Sequence, residues 1–225
     1  MTKQLLLLAA LNLLTISAFA QVKPPQPEQN DPEAKKLLDK IRKKYEGYKT
    51  LEVAFSLTTE LPGQAKDVQK GSIAQAAEKF RLDMDAQTII SDGKTTWVYL
   101  KKENEVQIND AGTGDESAFL TPKELLSRYQ RGDYTYAITE KTTEGGKPLT
   151  YIEFKPKDKN SEYAKIRLTL DTKANTIESI KAFAKDGGRF TFKITKLVPN
   201  KKFPAGHFLF DKAKFPGVRV EDLRM

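Results

Sequence analysis

The sequence predicts a mainly β protein with some α, a curved antiparallel half-barrel of about ten to eleven strands closed by helices. Three observations carry that prediction. Short runs alternating apolar and polar residues follow one another through most of the chain, which is the period-two pattern of half-buried strands. Most are separated by brief Gly-, Asn- or Asp-containing turns, so consecutive runs pair as antiparallel neighbours. Only two stretches have helical spacing, and each has an apolar stripe that must be buried against the sheet.

The first 20 residues have the layout of an export signal: Lys3 ahead of the apolar run Leu5 to Ile16, then the small-residue site Ala18-Phe19-Ala20. Cleavage is expected after Ala20, because the apolar run is shorter than the roughly 20 residues a membrane span needs. Residues 21–30 are Pro- and Gln-rich, with too little apolar content to fold, and read as a disordered leader. Residues 31–225 are expected to form one domain. There are no cysteines, so no disulfide framework is available, and no thiol can take a lipid anchor. Localisation in the periplasm follows from the signal. The formal charge of +8 drops by one when Lys3 leaves. Export argues against nucleic acid as its partner. Anionic headgroups, an acidic protein, or simply a solvated lysine-rich surface remain open.

Asp31-Pro32-Glu33 starts the first helix, with Asp31 as N-cap and Pro32 at the first helical position. Ala34, Leu37, Leu38, Ile41 and Tyr45 form its apolar stripe, and Gly47 ends it. Leu51, Val53, Phe55 and Leu57 then alternate with polar or small residues as a strand, and Leu61-Pro62-Gly63 turns the chain. A run from Lys70 to Gln75 leads into Lys79 to Met84, where Phe80, Leu82 and Met84 share a face. Asp92-Gly93 between Ile89-Ile90 and Trp97-Val98-Tyr99 is a strong hairpin signal, because Gly accepts positive φ without steric cost. Glu105 to Ile108 extends the meander.

A small polar loop, residues 110–117, precedes a second helix start. There Thr121 and Glu124 have the spacing of a capping box, and Leu125, Leu126 and Tyr129 form the apolar face. Strands follow at 134–139 and 149–154, at Ile166-Leu168-Leu170, at 176–184, and at Phe190-Phe192-Ile194. The tail reads His207-Phe208-Leu209-Phe210-Asp211, then Phe215-Pro216-Gly217-Val218-Arg219-Val220.

Catalytic furniture is scarce. His207 is the single histidine, so any Ser/His/Asp or Cys/His system would rest on it, and beside Phe208 near a strand end it reads as structural. Metal-binding clusters are absent from the pattern, and no cofactor is called for. Gly112-Thr113-Gly114 lacks the strand-then-helix context of a phosphate cradle. A carboxylate pair brought together by two strands stays open as a hydrolase reading, and so does a binding module with a filled core.

In order along the chain stand an amphipathic helix, a strand containing Phe55, and a block from Gly71 through Phe80 and Ile89-Ile90-Ser91-Asp92-Gly93-Lys94 to Trp97 and Tyr99. A short Leu-Leu helix and the terminus from Phe208 to Arg224 complete the set. This ordered set resembles the LolA family of lipoprotein carriers over nearly the whole chain after the signal. One place departs from the family pattern: between Gly71 and Phe80 there is no Arg followed by Pro, a residue that in known members helps hold the helical lid closed. Lys79 and Arg81 are nearby but not equivalent.

The resemblance implies a periplasmic chaperone, not an enzyme, that shields acyl chains and takes lipoproteins from the inner to the outer membrane. It implies an apolar cavity lined by Phe55, Leu57, Phe80, Leu82, Met84, Trp97, Tyr99, Phe154 and Phe192, under a lid of Leu125, Leu126 and Tyr129. Implied partners are acylated lipoproteins, an inner-membrane lipoprotein-releasing transporter and an outer-membrane acceptor, with the protein itself a monomer. The alternative on the same fold is a carrier or sensor of free lipid or glycolipid.

Overall fold

The computed structural model describes residues 30–112 and 122–224. The export signal, nearly all of the leader and the expected cap Thr121 therefore lie outside the described residues. Helix α1 (Pro32–Glu46) leads into β1 (Thr50–Glu60), β2 (Asp67–Ala76), β3 (Lys79–Met84), β4 (Gln87–Ser91), β5 (Thr95–Leu100) and β6 (Glu105–Asp110). Helix α2 (Pro122–Arg131) interrupts the meander. Then come β7 (Tyr134–Glu144), β8 (Lys147–Pro156), β9 (Tyr163–Asp171), β10 (Thr176–Ala184), β11 (Arg189–Pro199) and a short β12 (Arg219–Asp222).

Among the described residues, twelve strands form one open, curved sheet in the order β12-β6-β5-β4-β3-β2-β1-β11-β10-β9-β8-β7. The mainly β architecture with two helices is as expected. Two features differ. The chain returns from β11 to pair β1 with β11, which joins two meanders edge to edge. The final strand, β12, runs parallel to β6, with Val220 opposite Val106, and so falls outside the meander order.

Helix α1 begins as its sequence dictates. The Asp31 side chain accepts from the Glu33 and Ala34 amides, Pro32 occupies the first turn, and Ala34, Leu38 and Ile41 are buried. Burying each of the two large side chains contributes roughly 1.5–3 kcal/mol. Tethers fix both ends of the helix. Asp31 also accepts from the Ile138 amide of β7 at 3.1 Å, and its own amide donates to the Tyr136 carbonyl. At the other end the Tyr45 hydroxyl accepts from the Ile177 amide at 3.2 Å, and Lys44 donates to the Ala174 carbonyl.

The Asp31 carboxyl is held below its ordinary value of 3.8, first by the bond from the Ile138 amide and further by the two helical amides. A depressed acid contributes stability above its unfolded value, and that contribution is lost as pH falls through the folded one. Asp31→Ala is expected to lower stability by about 1 kcal/mol at neutral pH. The deficit should shrink well below pH 3.8, where the wild-type carboxylate is itself protonated. Urea denaturation of both proteins at the two pH values checks this.

The cross-strand pairs assign every strand residue to a face. On β1, β2 and β3, Phe55 lies opposite Gly71 and Gly71 opposite Met84, while Val53 faces Ile73 and Ile73 faces Leu82. From there Leu82 pairs with Ile89 and Ile89 with Val98. In the other half Phe154 pairs with Ile166, Ile166 with Ala182, Ile180 with Phe192, and Phe192 with Leu57. This face carries the core: it packs with Ala34, Leu38 and Ile41 of α1 and with Leu125, Leu126 and Tyr129 of α2.

Candidate functional site: an apolar cavity under the helices

The helices do not fill the space above the sheet. A cavity of about 550 Å³ remains between the end of α1, α2 and the first two strands. Its floor is Leu51 and Val53 of β1 with Ile73 and Gln75 of β2. Tyr45 and Tyr48 form one wall, their rings 5.6 Å apart, and Leu126 and Gln130 of α2 form the other. The volume lies within the roughly 300–1,000 Å³ range of small-ligand sites. The lining is mostly apolar, with Gln75 and Gln130 as polar exceptions in floor and wall, and the charged pair Arg42 and Glu46 at 2.7 Å.

The local sequence explains the opening. Helix α1 is apolar on one stripe only, and after Ile41 the residues facing the sheet are the aromatic Tyr45 and Tyr48, with no aliphatic side chain to fill the gap. Burial pushes the Tyr45 hydroxyl up to about 12, against the smaller opposing effect of the Ile177 amide that donates to its oxygen. Helix α2 is tied to α1 by the Tyr129 hydroxyl, which donates to Asp39 at 3.1 Å. Asp39 itself is held low, first by Lys35 and then by Tyr129. That bond joins the two covering helices directly.

The expected lining residues separate into three groups. Leu126 lines the cavity, with Leu125 and Tyr129 buried beside it in the core. Phe55, Leu57, Phe80, Leu82, Met84, Phe154 and Phe192 are all on the helix-covered face, but none borders the opening. Phe55 and Phe192 stack on each other at 4.5 Å, and Phe154 is wholly buried.

Trp97 and Tyr99 require a correction. Val98 is the β5 residue that pairs with Ile89, so Trp97 pairs with Ile90 and Tyr99 with Thr88 on the opposite face. The chain leading to β12 crosses that opposite face. Phe215 approaches the Tyr99 ring to 4.5 Å, and Asn104 bonds both the Tyr99 hydroxyl and the Pro216 carbonyl. Ile90 and Val106 are accordingly buried there.

His207 belongs to the same crossing segment. Its ring stacks on Phe203 at 4.6 Å and meets Phe208 edge-on, while its Nε2 is buried without a partner. Burial first, then the nearby Arg81 charge, holds its pKa below 6.5. Among the described residues no group of three or more His, Asp or Glu is placed to hold a metal.

The large apolar and aromatic lining residues that sequence reasoning did not single out are Leu51, Val53, Ile73, Tyr45 and Tyr48. The first two were read as the apolar positions of a half-buried strand and Tyr45 as helix stripe. The available signal was the Tyr45-x-x-Tyr48 pair just where the helix runs out.

Comparison with known proteins gives a consistent result. The family described as outer membrane lipoprotein carrier protein LolA matches residues 46–211, which include the cavity floor and α2. An uncharacterized protein of Methanocaldococcus jannaschii is 29% identical over 121 residues, covering 51% of this chain and 34% of that one. An outer-membrane lipoprotein carrier protein of Vibrio vulnificus is 29% identical over 141 residues, covering 62% of this chain and 64% of its own length. The chain thus spans about a third of the archaeal relative and somewhat under two thirds of the Vibrio one. Among solved structures, an uncharacterized conserved protein from Thermus thermophilus superposes with a TM-score of 0.56 at 9% identity, covering 84% of this chain and 99% of that one. At that identity the likeness concerns the fold alone.

Proposed function

The chain belongs to the LolA family of outer membrane lipoprotein carriers, and from that premise we propose that it is a periplasmic carrier of lipoproteins. It takes their acyl chains into the apolar cavity at the inner membrane and gives them up at the outer membrane. The observation that carries this reading is the cavity of about 550 Å³ with a floor of Leu51, Val53 and Ile73, roofed by two helices. An acyl chain loses about 0.8 kcal/mol of favourable burial per CH₂ when it enters water, roughly 10 kcal/mol for a long chain. A dry slot offsets that cost, and a roof that moves lets the chain in and out. The work is physical and needs no catalytic group. Export with cleavage after Ala20, a donor transporter, an outer-membrane acceptor and a monomeric carrier complete the proposal.

The test is native mass spectrometry of the protein isolated from the periplasm, with a pull-down from envelope extract. Acylated lipoproteins are expected to co-purify. Ile73→Asp, which sets a carboxylate into the floor, should lower their recovery about tenfold or more while the protein stays folded. Val68→Asp, on an exposed position of the neighbouring β2 segment, should leave recovery unchanged. Free lipid without protein cargo would transfer the reading to the lipid-carrier alternative. A protein that comes out empty and also ignores apolar dyes would sink both.

A further inference from the structure

A second depression borders the first. It shares Lys49, Thr50 and Ala77 with the rim of the apolar cavity and runs on between the β4–β5 turn and the segment 200–209. Its character is different. Lys49, Lys79, Lys94, Lys201 and Lys202 line it, with Asp92 as the only carboxylate among its lining residues. Asp92 is already engaged, accepting from the Lys94 and Thr95 amides of the turn. Lys201 is paired with Glu52 at 2.5 Å. The other four lysines are exposed, and Lys79 and Lys94 lie close enough to Asp92 to help hold its carboxyl low.

Apolar groups stand among these charges. Leu209 is 50% exposed, one of the few large apolar side chains left in water, and Phe203 and Phe208 flank it in the same segment. Their rings pack on His207, which stiffens the segment that presents Leu209. Lysines around an exposed leucine and aromatic rings are the composition of an interfacial membrane contact: cations meet anionic headgroups while the apolar side chain enters the headgroup boundary.

We propose that the lysine-lined groove, with Leu209 at its edge, docks this protein on an anionic phospholipid surface. In that orientation the rim formed by Lys49, Thr50 and Ala77 lies against the bilayer, so the mouth of the apolar cavity opens toward the hydrocarbon. Five lysines against one groove carboxylate, Asp92, whose charge Lys79 and Lys94 share, favour an extended anionic surface over a single acidic side chain. The docking does not depend on which acylated molecule the cavity carries.

Co-sedimentation of the purified protein with vesicles tests this, using phosphatidylcholine alone and phosphatidylcholine with a third phosphatidylglycerol. Binding is expected only to the anionic vesicles and should weaken steeply with salt. Each lysine near such a surface strengthens binding about fivefold, so Lys49→Ala/Lys79→Ala/Lys202→Ala should lose about a hundredfold. Leu209→Ser should weaken binding several-fold at fixed charge. The control Lys36→Ala/Lys40→Ala/Lys173→Ala removes the same charge from exposed positions outside the groove and should bind nearly as well as wild type.

Equal losses in the two triple variants would show that net charge alone is responsible and overturn the proposal. So would failure of the wild-type protein to bind anionic vesicles, including the case where it binds an acidic envelope protein instead. Empty vesicles contain no lipoprotein, so a negative result here leaves the cargo test untouched, and the reverse also holds.

Discussion

Phe154→Ala is expected to destabilise the protein by about 3–5 kcal/mol, through lost transfer free energy plus the cavity left behind. Phe154 on β8 has no exposed surface. Its ring meets Tyr134 edge-on at 5.7 Å and Tyr136 at 5.9 Å, and its neighbour across β9 is Ile166. Two rings held by β7 pack against it, and β7 is an outer strand with a partner on one side only. Truncation therefore removes the packing that keeps the edge strand and the tethered start of α1 in place. A domain of this kind has roughly 5–15 kcal/mol in all, so the variant should sit near the edge of folding at 37 °C. The midpoint of denaturant unfolding, read at unchanged slope, measures the loss. A loss under about 1 kcal/mol would contradict full burial of this ring.

Gly71→Val should be comparably damaging for the opposite reason, since it adds atoms where there is no room. A Cβ at position 71 would come within 2.6 Å of the Phe55 ring and 2.8 Å of the Asp83 carbonyl oxygen. The ring could rotate, but the carbonyl belongs to β3, whose pairing with β2 places Ser72 opposite Asp83. Overpacking of this kind costs about 1–3 kcal/mol, and a backbone partner puts it at the upper end or beyond. Gly71→Ala should cost about 2 kcal/mol. Adding Phe55→Leu to Gly71→Ala should relieve the ring clash and leave the carbonyl clash, so the pair will be less than additive. The same denaturation series, run on both single variants and the double, separates the two contributions. If Gly71→Ala is neutral, the close approach of β2 and β3 is wrong.

The two positions also mark how far a sequence can be read. Gly71 appeared as a landmark in a run of small residues, but its reason, a phenylalanine ring from β1 lying over it, exists only once β1 and β2 are in register. Phe154 fell in the expected strand 149–154, and the structure buries it on the helix-covered face. Trp97 and Tyr99 were assigned to the wrong face. The run Trp97-Val98-Tyr99-Leu100 does not alternate, nor does Ile89-Ile90, and an unbroken apolar run signals a strand buried on both sides. The second cover was the C-terminal crossing, more than a hundred residues further on, so nothing local identified it. Of the residues expected to line or cover the cavity, Leu126 alone borders the opening. The floor at Leu51, Val53 and Ile73 was not distinguishable from packed core, because an apolar side chain looks the same in sequence whether its neighbour is a leucine or a void.

Local chemistry determined what local chemistry can. Asp31-Pro32 set the start of α1, Asp92-Gly93 set the β4–β5 hairpin, and period-two alternation set most of the strands, because caps, turns and pleats act over a few residues. The ordered landmarks carried the family, which the match over residues 46–211 bears out; the terminal run from Phe215 to Arg224 lies beyond that match. Tertiary structure alone decided the pairing of β1 with β11, the parallel return of β12, the second buried face and the position of the void. Each of these depends on surfaces far apart in the chain meeting at ångström separation. A one-residue change of register would move every side chain of a strand to the other face.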